Sequence, residues 1–195
     1  QSEMANMEAS AFQSYLDENY YTYFDTFYGK RSIRPDHVRY LKESQQSLIP
    51  VAQALFEKVG PNQESKDYVN LMLSFIQSIP YNELVEKSVS RGSGYLSPVE
   101  VLTSNIGDCD SKATLAAAVL KSLLPRLSIA IIYIPGHALL AANLPRSDLE
   151  RTIDIDGMQY VLLEPTGPAL MIAGKIGDKS EKDISSGMYT YEKVK

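Results

Sequence analysis

The sequence predicts an α+β protein in which a helical N-terminal half packs against a sheet formed by the C-terminal half. Through most of the first 124 residues, apolar side chains recur at three- and four-residue steps, as on the buried face of a helix. After Pro125 the run 127–134 is apolar and β-branched, which is typical of a buried strand. A chain of 195 residues can bury one sizeable core, so we expect a single domain over residues 1–195.

Three long helices are predicted before residue 80. The first covers residues 4–27 and stops at Gly29. The second covers about 35–60 and contains Pro50, which should kink or break it. The third covers 68–79 and carries one apolar face. We interpret residues 1–62 as a helical N-terminal extension to a core at 63–170.

Two further helices are predicted around the single cysteine. Ser97, Pro98 and Glu100 match an N-cap, an N1 proline and a capping-box glutamate. A longer, alanine-rich helix begins at residues 107–109 and ends before a proline at position 125. Residues 81–95 are polar and contain glycines, which predicts a loop.

The C-terminal half is predicted to form hairpins. Strands at 127–134 and 137–143 flank a Pro-Gly turn, and strands at 152–155 and 158–164 flank an Asp-Gly turn. After Pro168 we predict no defined element.

Composition and charge exclude several classes of protein. The net charge of −5 and the absence of a basic run argue against a nucleic-acid partner. The longest apolar stretch, 127–142, is broken by Pro135 and Gly136 and is too short to span a bilayer as a helix. Because the sequence begins with Gln1 rather than Met, we expect an upstream segment, which could be a signal peptide, an anchoring helix or a disordered tail. A cell-envelope location is therefore slightly favoured over the cytoplasm.

No metal or cofactor is expected. Asp154, Asp156 and Gly157 resemble part of a calcium loop, but the other acidic ligands are missing. Gly174-Lys175 lacks the upstream glycine of a phosphate-binding loop. The chain has one cysteine and two histidines, too few for a zinc cluster.

Cys109 is the candidate nucleophile. It lies at a predicted helix start, where free backbone N–H groups and the helix dipole favour a thiolate and could also hold an oxyanion. We therefore expect a depressed pKa and fast alkylation at pH 6. Asp108 and Asp110 oppose this effect unless they act as helix caps. The alternative interpretation is a small buried apolar residue.

His137 and Glu164 are the candidate partners of this thiol. His137 follows the Pro-Gly turn and could accept the thiol proton. Glu164 ends a predicted strand and could orient the imidazole. Each could instead be an ordinary structural or surface residue. His37, which lies among charged neighbours, is interpreted as a surface residue.

Ordered short motifs resemble the transglutaminase-like core of bacterial and archaeal proteins. In chain order they are Phe75-Ile76-Gln77-Ser78-Ile79-Pro80-Tyr81, Ser97-Pro98-Val99-Glu100-Val101-Leu102, Gly107-Asp108-Cys109-Asp110, Pro135-Gly136-His137-Ala138 and Leu163-Glu164-Pro165-Thr166. Each motif is weak alone, but their order and spacing agree with the family. The resemblance covers about residues 68–168, and the first 60 or so residues match nothing.

The resemblance implies a papain-like α+β fold, with the cysteine on a helix packed against an antiparallel sheet. It also implies that Cys109, His137 and Glu164 meet, with the sulfur within about 4 Å of the imidazole. Glu164 replaces the usual Asp, and Ser111 and Lys112 stand where acidic and aromatic residues are common.

An oxyanion donor is also expected. By analogy with papain-like enzymes, Gln77 could donate this hydrogen bond from the edge of its helix, and Tyr95 and Asn105 are rival donors. A solvated role for Gln77 is the alternative.

Three functions follow as hypotheses. The first is a thiol peptidase or amidase that acts on a protein or peptide substrate, and the second is a cross-linking transglutaminase with the same residues. The third is a catalytically silent domain that binds protein or peptidoglycan through tyrosines of the N-terminal region. These tyrosines are Tyr15, Tyr20, Tyr21, Tyr23 and Tyr28.

Overall fold

The computed structural model describes residues 2–85 and 94–194. The helices described there are α1 (Ser2–Glu18), α2 (His37–Val59), α3 (Ser65–Gln77), α4 (Pro98–Ser104), α5 (Cys109–Leu123) and α6 (Asp178–Ser185). The strands are β1 (Tyr21–Asp25), β2 (Arg31–Pro35), β3 (Ile129–Ile134), β4 (His137–Ala142), β5 (Thr152–Ile155), β6 (Met158–Leu163) and β7 (Thr190–Val194).

The main sheet has five strands in the order β5-β6-β4-β3-β7, and every neighbouring pair is antiparallel. Strands β3 and β4 form a tight hairpin in which Ile134 pairs with His137. In the β5–β6 hairpin, Asp156 and Gly157 both have positive φ, which the Asp-Gly turn requires. The predicted hairpins are confirmed.

Helix α5 lies at the centre of the core. It packs against α2, α3 and α4 and against strands β3 and β4. Its alanines at 113, 116, 117 and 118 are completely buried, because small side chains let neighbouring backbones approach closely. The predicted α+β class is confirmed, with the cysteine-bearing helix packed against an antiparallel sheet.

Local signals set the helix starts correctly. Asp36 caps α2 by accepting a hydrogen bond from the Arg39 N–H at 2.9 Å. Ser97 and Glu100 form the predicted capping box of α4. Pro50 lies inside α2 and does not end that helix.

The first predicted helix is wrong beyond residue 18. Helix α1 ends at Glu18, and residues 21–35 form a separate two-stranded hairpin of β1 and β2. Tyr20 has a positive φ, which ends helical geometry. The following run of tyrosine, threonine and phenylalanine favours strand over helix, and Gly29, also with positive φ, allows the turn.

The C-terminal tail is more ordered than predicted. Helix α6 and strand β7 follow Pro168, and β7 completes the sheet by pairing with β3 from Ile129 to Tyr133. Part of the predicted loop at 81–95 lies outside the described residues. Within residues 2–85 and 94–194, no helix is long and apolar enough to cross a membrane.

Gly167, four residues after the end of β6, lies directly against the backbone of Gln77 at the end of α3. Its φ is +66°, and a Cβ at this position would overlap the Gln77 carbonyl oxygen. Gly187 also has a positive φ, of +73°, but a Cβ there would have no other atom within 4 Å. We expect Gly167→Ala to lower the free energy of unfolding by about 2–4 kcal/mol.

Gly187→Ala is the control for backbone strain alone and should cost about 1 kcal/mol. Urea unfolding followed by circular dichroism measures both changes. Equal losses in the two variants would contradict the close approach between Gly167 and α3.

Candidate active site

Cys109 is the first residue of α5. Asp108 is the N-cap, and its carboxylate accepts the Ser111 N–H at 3.2 Å. Asp108, one of the two flanking aspartates, therefore acts as a helix cap, as the sequence suggested it could. The thiol itself is partly buried.

Two backbone N–H groups point at the sulfur, those of Asp110 and Ala138. Strand β6 pairs with β4 only from Leu140 to Ala142, so Ala138 lies beyond that ladder. Its hydrogen bond brings the sulfur beside the residue that follows His137. The distance from the sulfur to the imidazole stays a prediction.

His137 and Glu164 are directly bonded. His137 is the first residue of β4, and Glu164 follows the last residue of the neighbouring strand β6. The His137 Nε2 lies 2.8 Å from the Glu164 Oε2. The other carboxylate oxygen accepts the Thr166 N–H at 3.0 Å. Since Nε2 is engaged, Nδ1 is the imidazole nitrogen that is left for the thiol.

A cavity of about 350 Å³ opens beside these residues, and Cys109 and His137 both line it. Its volume falls within the range of small-molecule sites, about 300–1,000 Å³. A substrate group in this cavity would therefore lie next to the thiol and the imidazole.

The charges around the sulfur oppose its ionisation. Burial, followed by the negative charges of Asp110 and Asp108, raises the pKa of Cys109 to about 12. The two N–H groups at the sulfur act in the opposite direction but do not compensate. The expected depression of this pKa is wrong for the free protein, because burial and the flanking carboxylates outweigh the helix terminus.

The two aspartates share one proton. Burial and the hydrogen bond to Asp110 raise the pKa of Asp108 to about 8. Despite its own burial, Asp110 has a lowered pKa because His37 and Asp108 stabilise its carboxylate through hydrogen bonds. At neutral pH the proton therefore stays on Asp108, and Asp110 carries the single negative charge.

Lys112 is completely buried one turn after Cys109. Its Nζ donates to the Ile79 carbonyl oxygen at 2.7 Å and to the Thr166 carbonyl oxygen. Burial lowers the pKa of Lys112 to about 8, and the negative charge of Glu164 acts in the opposite direction. In the sequence, Lys112 stands out only as a departure from the family, since no local pattern reveals its two distant carbonyl partners.

Gln77 is a buried residue whose side-chain amide bonds to the backbone of Glu164 and Met171. The prediction that it faces the cleft is wrong. Only 2% of the residue is exposed. Its Nε2 donates to the carbonyl oxygens of Glu164 and Met171 at 2.7 and 2.9 Å. Its Oε1 accepts the Met171 N–H at 3.2 Å. With these partners, the amide has no donor left for an oxyanion.

The rival donors Tyr95 and Asn105 do not line the cavity either. Tyr95 is buried, its ring packs against His37 and Tyr40, and its hydroxyl bonds to Thr114. Asn105 is exposed at the C-cap of α4. The backbone N–H groups at the start of α5 are therefore the better-placed donors.

Tyr81 is a site residue that sequence reasoning did not single out. It forms a bridge with Gly107, just before the cysteine helix. Burial raises the pKa of its phenol, and the charges of Cys109 and Asp108 raise it further. The residue is 48% exposed, so a substrate could reach it.

His37 is buried, and its interpretation as a surface residue is wrong. It is 1% exposed, its Nδ1 lies 2.8 Å from the Tyr133 hydroxyl, and its Nε2 lies 3.2 Å from an Asp110 carboxylate oxygen. It also lines the cavity. The missed signal is periodic, because His37 precedes the buried Leu41 by four residues on α2.

Metal ligation is not indicated by the described part of the chain. No group of three or more His, Cys, Asp or Glu side chains there could hold a metal ion. The Asp154-Asp156-Gly157 segment, which resembles a calcium loop, forms the turn between β5 and β6.

Comparison with known proteins gives distant structural similarity alone. No family model and no curated protein matches the chain. A Cytophaga hutchinsonii structure, provisionally assigned as a cysteine protease, is 16% identical over 76% of this chain and 46% of that chain, with a TM-score of 0.43. A Parabacteroides distasonis structure, provisionally assigned as a protease, is 15% identical over 72% and 31% of the respective chains, with a TM-score of 0.39. The chain thus spans less than half the length of either structure.

The raised pKa of Cys109 generates a prediction about its alkylation. At pH 7 the thiol should react with iodoacetamide more slowly than a free cysteine, whose pKa is about 8.5, and the rate should keep rising above pH 9. The double variant Asp108→Asn/Asp110→Asn removes the negative charges that oppose ionisation after burial, so its rate at pH 8 should rise about tenfold. Both changes are needed, because Asp108 owes its raised pKa partly to Asp110 and would ionise if Asp110 alone were replaced.

Asp148→Asn, a change at an exposed position, is the control and should leave the rate unchanged. Mass spectrometry of the modified protein across pH 6–10 measures these rates. A wild-type rate that levels off below pH 8 would show that the thiolate forms readily despite the two aspartates.

Proposed function

We propose that the protein is a thiol enzyme that cleaves or transfers acyl groups at amide bonds. Cys109 acts as the nucleophile, His137 carries the proton and Glu164 orients the imidazole. The observation that carries this proposal is the 2.8 Å bond between His137 and Glu164 beside Cys109 at a helix start. A histidine bonded to a carboxylate next to a thiol is the arrangement that nucleophilic catalysis uses.

The first step is attack of the Cys109 sulfur on the amide carbonyl carbon. Because the thiol is protonated at neutral pH, its proton passes to His137 as the carbon–sulfur bond forms. The carbonyl π electrons move to oxygen, and the N–H groups at the start of α5 are suited to stabilise this oxyanion. The imidazolium is stabilised by the bonded Glu164 carboxylate.

The second step breaks the carbon–nitrogen bond. The oxyanion re-forms the carbonyl, and the leaving nitrogen takes the proton from His137, which gives a free amine and an acyl thioester on Cys109. Water, deprotonated by His137, then releases a carboxylic acid and restores the thiol. A primary amine in place of water would give a new amide, as in a cross-linking transglutaminase.

Hydrolysis is the favoured outcome. The cavity beside Cys109 is open to solvent, since His137 and Asp110 on its wall are only partly buried. Water therefore has access to a thioester there, whereas efficient amine transfer requires exclusion of water.

A catalytically silent binding domain is the second candidate. One observation favours it, the raised pKa of Cys109, because a permanently protonated thiol would be inert. The tyrosines considered for this role lie on several elements, although Tyr15 and Tyr23 both pack against Phe12. Tyr15 lies on α1, whereas Tyr21 and Tyr23 lie on β1 and Tyr20 bonds to Glu43 of α2.

Release of a fluorescent amine from N-capped dipeptide amides tests the proposal. We expect turnover by the wild-type protein, none by Cys109→Ala, and a loss of roughly 10²-fold or more in kcat for Glu164→Gln. Glu57→Gln, at an exposed position of α2, is the matched control and should retain full activity.

Adding a primary amine to the assay distinguishes hydrolysis from transfer of the acyl group to an amine. Carboxylic acid as the main product supports hydrolysis, and the substituted amide as the main product supports cross-linking. Release that is equal in the wild-type protein and Cys109→Ala, or absent from both, would contradict the enzyme and favour the silent domain.

A further inference from the structure

The cavity beside Cys109 is bordered by the β1–β2 hairpin, which lies outside the segment that resembles a known family. Phe24 of β1 and Phe27 of the turn line one wall. Tyr133 and Ile134, at the end of β3, line the cavity from the main sheet. Aromatic and aliphatic carbon therefore dominates the lining of the space beside the thiol.

The turn that carries Phe27 is held by hydrogen bonds. The Thr26 N–H donates to the Lys30 carbonyl oxygen at 2.9 Å, and the Gly29 N–H donates to the Thr26 carbonyl oxygen at 2.8 Å. The Lys30 N–H also donates to the Thr26 hydroxyl at 3.2 Å. This bonding fixes the hairpin tip, so the wall is preorganised for a ligand.

Arg34, the cationic residue that the hairpin contributes to the cavity, already pairs with an acidic residue. The Arg34 guanidinium lies 3.7 Å from the centre of the Tyr133 ring and 4.7 Å from that of Phe24. It also pairs with Glu192 of β7 at 2.5 Å. Arg34 thus connects the hairpin to the sheet and leaves little free charge to recognise an acidic ligand.

Polar side chains also line the cavity, next to the reacting groups of Cys109 and His137. His37 bonds to the Tyr133 hydroxyl and lies beside Asp110, and both line the cavity together with Cys109. A ligand in this cavity could therefore place an apolar part near the aromatic rings and a polar part near the sulfur.

We propose that this cavity is the specificity pocket of the enzyme and binds a large uncharged side chain, preferentially aromatic, of the residue whose carbonyl is attacked. This inference rests on the proposed function. The N-terminal hairpin supplies four of the residues that line the pocket, among them the rings of Phe24 and Phe27, so it helps to determine which acyl group reaches Cys109. Offset and edge-on contacts with Phe24, Phe27 and Tyr133 would favour an aromatic ring over an aliphatic chain.

Labelling of Cys109 by N-capped amino-acid chloromethyl ketones tests the pocket without requiring turnover. In this reaction the sulfur displaces chloride and forms a thioether with the methylene carbon. The phenylalanine reagent should label Cys109 about tenfold or more faster than the alanine and aspartate reagents. Iodoacetamide, which has no side chain, corrects for changes in the thiol itself.

Two variants of the pocket and one control locate the effect. Phe24→Ala should lower the preference for phenylalanine over alanine about fivefold or more. Phe27→Asp should shift labelling toward the lysine reagent, because a carboxylate would then face the entering side chain. Tyr23→Ala is the control, since Tyr23 alternates to the other side of β1 and contacts Phe12 and Arg31. It should leave all preferences unchanged.

The outcomes separate this inference from the proposed function. Cys109-dependent hydrolysis with preferences that neither pocket variant alters would overturn the pocket and leave the enzyme intact. Side-chain-dependent labelling that both pocket variants alter, without any amide turnover, would support the pocket and contradict the enzyme. Equal labelling by every reagent, or none by any, would overturn the pocket. Thermal unfolding of each variant shows that it is folded.

Discussion

The buried ammonium group of Lys112 is the constraint on which the candidate site depends. It donates to backbone carbonyls that lie 33 and 54 residues away along the chain, at Ile79 and Thr166. Lys112 lies three residues after Cys109 on α5, so these bonds fix the segment that follows Glu164 relative to the cysteine. Gln77 reinforces the same segment from α3 by bonding to Glu164 and Met171. A buried charge is costly, and here it is compensated by carbonyl oxygens and by the nearby Glu164 carboxylate.

The electrostatics of the site keep the thiol protonated at neutral pH. Cys109 is partly buried, and Asp110 retains its negative charge while Asp108 holds the shared proton. A preformed thiolate is therefore disfavoured, and in the proposed reaction proton transfer to His137 would accompany attack. The bonded Glu164 carboxylate makes the imidazolium that results less costly. The same arrangement would limit reaction of the resting thiol with unrelated electrophiles.

The elements with strong local signals were predictable from sequence. The Ser97–Glu100 capping box, the alanines of α5 and the two-residue turns determine structure through neighbours in the chain. The adjacency of His137 and Glu164 followed from the order of the motifs. Strand β7, by contrast, needs a partner about 60 residues away in β3. The burial of His37 and the hydrogen bonds of Gln77 depend on Tyr133 and Met171, which come near these residues only in the folded chain. No local pattern encodes such contacts, so sequence reasoning assigned both residues the wrong environment.

Direct detection of an acyl-enzyme tests whether Cys109 attacks a carbonyl carbon with help from His137 and Glu164. The protein would be mixed with p-nitrophenyl acetate at pH 7, quenched with acid and digested, and the acetyl group located by tandem mass spectrometry. We expect one acetyl group on Cys109, formed much faster in the wild-type protein than in His137→Ala. Acetylation elsewhere with Cys109 unmodified, or equal rates in the two proteins, would contradict this mechanism.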